Sequence, residues 1–138
     1  MEEKIGPEKK SPIVIAGPGI EITVAYRKGL GGEDEGLTFD VTTAGENPGA
    51  RILRFDCFKN TPHYHVGPSG KHNPARDMKQ EGIGDPVRWT LEQLKSRLPS
   101  LVREAGYEEI AARIDQRAIA DRLTELESEI LARMRPHP

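Results

Sequence analysis

Arg51 to His72 reads RILRFDCFKNTPHYHVGPSGKH and holds three of the four histidines and the only cysteine of the chain. Side chains alternate between the two faces of a strand. Leu53, Phe55 and Cys57 therefore share one face and Arg54 and Asp56 the other. The segment from Pro62 repeats the alternation, with Tyr64 and Val66 apart from His63 and His65. A four-residue hairpin loop over 59–62 sets Asp56 opposite His65 and Phe58 opposite His63, with Pro62, which lacks an N–H, in or beside the turn. Both imidazoles then join Arg54 and Asp56 on a polar face, and Tyr64 and Val66 join the core. A loop of three or five residues would reverse that parity and bury the histidines.

Short alternating runs precede this hairpin. Residues 12–16 read PIVIA, residues 20–26 place Ile20, Ile22, Val24 and Tyr26 on one side, and residues 37–42 do the same with Leu37, Phe39 and Val41. Each is the pattern of a half-buried strand, and the connections are short enough to make neighbours antiparallel. The glycines of residues 29–36 precede neither a Gly-Lys-Ser/Thr ending nor a helical pattern, so they do not read as a phosphate loop.

Beyond the hairpin the period changes. Asp85 and Pro86 make a helix start, and Val87, Leu91, Leu94, Leu98, Leu101 and Ala105 recur at helical spacing. Pro99 kinks or splits that helix and Gly106 ends it. A second pattern runs over 108–135. The sequence thus predicts a single α+β domain over 1–138. Residues 1–11 form a loose tail, and an antiparallel β-meander of four to five strands lies within 12–72. Two to three helices follow, a kinked one over 85–106 and a long one over 108–135.

That long helix would extend roughly 40 Å at about 1.5 Å per residue, farther than a small sheet reaches. Its stripe of Ile119, Leu123, Leu126 and Ile130 has coiled-coil spacing. The expectation is a homodimer or a protein partner docked along it.

The chain has 138 residues and a net charge of -2, so its global charge points to neither nucleic acid nor membrane. One cysteine forms no internal disulfide, which fits a reducing cytoplasm, and no apolar run approaches a membrane span. Cys57 on the apolar strand face reads as a small buried hydrophobe. Locally the balance differs. From Arg51 to Glu81 six basic residues face three acids, a local +3. A basic patch around histidines suits a phosphate-bearing ligand, with RNA the commonest such polymer. Lys71, Arg76 and Tyr64 are the expected substrate contacts.

Two imidazoles beside a carboxylate have three readings. His63 and His65, with His72 from the following loop and an oxygen from Asp56, would bind zinc or another divalent metal. Alternatively His63 and His65 act as base and acid, Asp56 assists and Arg54 stabilises developing phosphorane charge. The third reading is a polar pair without chemistry. The rival function is a non-enzymatic interaction or assembly subunit working through its C-terminal helix, with the histidines structural or zinc-binding.

The segments Arg54-Phe55-Asp56 and Pro62-His63-Tyr64-His65-Val66, with the Asp85-Pro86 and Trp89-Thr90-Leu91 helix, resemble a family of small prokaryotic proteins that has no assigned activity. That resemblance covers Arg51 to Tyr107. More distantly, Arg54, Asp56, His63 and His65 resemble the Arg-aromatic-Asp strand and His-x-His of TumE-type toxins from bacterial toxin–antitoxin pairs. This second resemblance implies a small α+β protein acting on RNA or otherwise blocking growth. The loop between the two motif segments is shorter here than in those toxins, and the helix after Gly106 is additional.

Overall fold

A computed structural model describes residues 11–29, 32–45, 49–68 and 73–134. Six strands form one antiparallel sheet in sequence order: β1 (Ile13–Gly17), β2 (Ile20–Lys28), β3 (Glu35–Thr43), β4 (Arg51–Phe58), β5 (His63–Val66) and β6 (Arg76–Asp77). Four helices follow: α1 (Pro86–Ser96), α2 (Leu98–Glu104), α3 (Glu108–Arg113) and α4 (Gln116–Ala132). The architecture is the expected α+β meander followed by helices. It carries one strand more than the alternation showed, because β6 is only two residues long and has no period to read.

One face of the sheet is apolar. Ile22 pairs with Val41, Val24 with Phe39, Phe39 with Phe55 and Phe55 with Tyr64. These rows, with Ile20, Leu37 and Leu53, are buried in one core with Val87, Leu91, Leu94, Leu98, Leu101 and Val102 of the helices. At Gly36 the backbone of β3 runs close against that of β4. A Cβ there would run into the Cys57 carbonyl, so only glycine keeps this pairing.

The helix breaks follow from identifiable residues. Asp85 caps α1 by accepting from the Arg88 amide, and Pro99 falls in the first turn of α2, splitting the 85–106 segment in two. Gly106, with φ of 100°, adopts the left-handed conformation that ends α2. The single helix expected over 108–135 is divided. Ile114 is extended at ψ 128°, and the Asp115 side chain accepts from the Ala118 amide to start α4 afresh. A 3.6-residue period carries across such a break, because a new cap restarts the helix without shifting which residues face the core.

α4 remains the longest helix, at 17 residues. Its apolar stripe is not left uncovered. Ile119, Leu123 and Ile130 are buried in the common core, and Leu126 packs against it. Lys95 of α1 also reaches Glu127 of α4 at 2.7 Å. The premise of an uncovered seam is therefore not met, since folding the helix back along α1 and β1 spans the length that the sheet alone would not. Among the described residues no helix is long and apolar enough to cross a membrane.

Candidate functional site

The polar rows of β2 to β5 lie on the face opposite the helices. The β4–β5 ladder pairs Arg54 with His65 and Asp56 with His63. The expected parity holds, so both histidines share a face with Arg54 and Asp56. The expected partners do not: Asp56 faces His63 instead of His65, a slide of two residues. The cause lies outside the hairpin. Asp34 accepts from the backbone amides of Asn60 (3.0 Å) and Thr61 (2.8 Å) and from the Thr61 hydroxyl (2.7 Å). The Lys59 amide donates to the Glu35 carbonyl. A carboxylate 26 positions upstream thus gathers the turn tightly. The Glu35 amide donates to Asp34 as well, at 2.9 Å. Burial raises the Asp34 pKa, but these bonds from Thr61, Asn60 and Glu35 outweigh it and bring it to about 2.

Asp56 is the hub of the site. Its Oδ1 accepts from Arg54 Nε at 3.0 Å, and its Oδ2 lies 3.1 Å from His63 Nε2. Burial pushes this carboxyl up, while the bonds from His63 and Arg54 win and hold it below the ordinary range. The other ring nitrogen of His63, Nδ1, donates to the Thr61 carbonyl at 2.8 Å. The bond to Asp56 raises the His63 pKa against the cost of burial. His65 stands with its ring centre 5.4 Å from that of His63 and its plane nearly perpendicular. Its Nδ1 approaches the Asn73 carbonyl at 3.5 Å. Burial lowers its pKa; the Asn73 carbonyl opposes this and Arg51 adds to it.

Arg54 lines the cleft and is held by two carboxylates. Besides Asp56 it approaches Asp40, at 3.6 Å, and Asp40 is also bridged by Arg27 at 3.5 Å. The guanidinium is engaged by two carboxylates and fixes their positions relative to each other. Even so, burial keeps the Asp40 pKa raised against the pull of Arg54 and Arg27.

The free cations are others. Arg51 and Lys28 line the same cleft, a space of about 530 Å³ shared with Arg54, Asp56, His63 and His65. Among the described residues neither is in an ion pair, and the Arg51 Nε has no hydrogen-bond partner. Strict alternation assigns Arg51 to the core face with Leu53. A bulge reverses this: Thr42 pairs with Arg51 and Val41 with Leu53, leaving Ile52 as the extra residue. Ile52 and Leu53 are both fully buried, and Arg51 turns to the cleft. The adjacent apolar pair in Arg-Ile-Leu-Arg is the sequence signal of that bulge.

Other expected contacts fall elsewhere. Tyr64 is on the core face, stacked on Phe55 with ring centres 5.6 Å apart and donating its hydroxyl to Glu81 at 2.8 Å. Arg76 lies over the Tyr64 ring and binds Glu104 at 2.7 Å. Both are removed from the cleft by the same alternation that delivers the histidines to it. Lys71 and His72 lie outside the described residues. Cys57 is buried against Thr90 (Sγ to Oγ1 3.4 Å). Burial drives its thiol to about 12 despite that bond, so it is no nucleophile.

The sequence matches the family described as a domain of unknown function, DUF7700, over residues 13–130. The chain belongs to the DUF7700 family. The match spans all six strands and nearly all of α4, wider than the stretch that carried the resemblance to a family without assigned activity, and it agrees with that resemblance. No curated protein and no solved structure matches the chain. The likeness of this DUF7700 chain to TumE-type toxins therefore rests on its four motif residues alone.

Proposed function

We propose that the cleft of this DUF7700 chain binds a phosphodiester, with RNA as the leading substrate class, and cleaves it. The observation that carries this reading is the pair of unpaired cations, Arg51 and Lys28, bordering a His63–His65–Asp56 cluster in one cleft. An anion fits beside cations that form no ion pair among the described residues. Cleavage needs an attacking oxygen to lose a proton and a leaving oxygen to gain one, while charge on the phosphoryl oxygens is stabilised. The cluster supplies the first requirement and Arg51 with Lys28 the second. A toxin-like, growth-blocking role is the biological form of this activity that the motif resemblance implies. The alternative of an assembly subunit acting through its C-terminal helix, as a homodimer or with a protein partner, draws no support from α4, whose stripe is buried within the chain.

The test is cleavage of end-labelled RNA by the intact protein and by His63→Ala and His65→Ala. Both substitutions should abolish cleavage, and any growth inhibition on expression, while the fold survives. An intact protein that cleaves no RNA, or variants as active as the parent, would refute the reading.

A further inference from the structure

We propose that Asp56, His63 and His65 hold a divalent first-row metal ion of the zinc class. This deepens the reading above by naming what the cluster binds. The argument begins with the two Nδ1 atoms. The His63 Nδ1 faces the Thr61 carbonyl at 2.8 Å and the His65 Nδ1 faces that of Asn73 at 3.5 Å. A carbonyl only accepts, so each Nδ1 carries hydrogen; in the neutral ring Nε2 is then the atom with the lone pair, free to bind a metal in place of the proton that otherwise joins His63 to Asp56. Backbone carbonyls that fix the tautomer in this way are the usual outer support of metal-binding histidines.

The lone pairs converge. Ligand atoms of Asp56, His63 and His65 all lie within 4.8 Å of one another. The His63 Nε2 is 3.1 Å from the Asp56 Oδ2, a separation that either a proton or a metal ion can bridge. Two donors about 2.0–2.2 Å from one ion lie roughly 2.9–3.5 Å apart for angles between octahedral and tetrahedral. The observed spacing therefore needs no rearrangement of this pair. His65 closes on the ion by a small swing, for which its long contact to Asn73 leaves room. Arg54, donating to the other oxygen of Asp56 at 3.0 Å, anchors the carboxylate.

The donor set identifies the ion class. Two imidazoles and one carboxylate suit zinc and its first-row neighbours, whereas calcium and magnesium favour all-oxygen shells. Three protein ligands facing a cleft leave coordination positions for water and for substrate, the arrangement of a catalytic rather than a closed structural site. His72 is not needed to complete it.

The test uses untagged, chelator-stripped full-length protein titrated with Zn(II) by calorimetry and with Co(II) by visible absorption. The proposal expects one ion per chain, cobalt bands of a nitrogen–oxygen site, and affinity reduced roughly tenfold or more by each of His63→Ala, His65→Ala and Asp56→Asn. His65→Ala keeps the test open if Asp56→Asn fails to fold, because His65 is only half-buried and bears no ion pair among the described residues. Absence of stoichiometric binding, or binding indifferent to all three changes, would overturn it; in that case a proton alone joins His63 to Asp56. RNA enters none of these measurements, so the two readings fail separately. A metal-binding protein that leaves RNA intact ends the substrate reading, and cleavage that persists in chelator ends this one.

Discussion

Two arginines three positions apart carry opposite burdens. Arg54 neutralises Asp56 and Asp40, both nearly fully buried, while Arg51 neutralises neither by direct contact. Removing one partner from a buried charge network leaves the other uncompensated. Arg54→Ala should therefore cost about 2–4 kcal/mol, reduced from the fully buried case by its partial exposure. Arg51→Ala should change stability by no more than about 0.5 kcal/mol yet weaken RNA binding. Urea unfolding of the two variants beside an RNA titration checks the contrast. Equal destabilisation by both would mean that Arg51 is structural. The sequence shows why these roles are hard to separate in advance. Both residues are arginines on one strand, and only the bulge at Ile52 decides that they share a face. Parity alone sufficed for Asp56, His63 and His65, because no irregularity lies between them and the turn keeps an even count.

At the level of elements, the β4–β5 turn depends on an aspartate from a different connection. Folding lowers the Asp34 pKa to about 2, so its protonated form is the less stable partner of the turn. The sign follows: this contribution is fully present above the ordinary carboxylate value of 3.8 and is lost as pH falls through about 2. Asp34→Ala should remove the protection of the Asn60 and Thr61 amides against hydrogen exchange at neutral pH, and in the parent that protection should persist to pH 3. Protection that is unaltered by the substitution would show that the turn holds itself. Such a contact is invisible to periodicity, since Asp34 sits in an acidic, glycine-rich connection with no pattern of its own. Hence the first five strands and most of their faces were legible in the sequence, while the two-residue slide that pairs Asp56 with His63 was not. The helices show the same division. Pro99 and Gly106 announced their breaks, but Asp115 was hidden inside an uninterrupted apolar period.

For the whole molecule, the sheet has two separate tasks: its apolar face is covered by helices and its polar face carries the cleft. α4 belongs to the first. Leu123 is fully buried, and Leu126 packs against the core. Leu123→Glu with Leu126→Glu should thus destabilise the fold by roughly 3 kcal/mol or more, through an unpaired charge in the core. A double variant that keeps its melting temperature and changes only its mass in sedimentation would instead place α4 at an interface. The second task is tested by the rate at which the intact chain cleaves a short labelled RNA, compared with Lys28→Ala plus Arg51→Ala. The account predicts cleavage by the parent and a loss of at least roughly tenfold in the variant, at a melting temperature close to the parent's, because on this reading the two cations meet phosphate while neither is in an ion pair among the described residues. An intact chain without cleavage, or a variant that cleaves as fast as the parent, would contradict it.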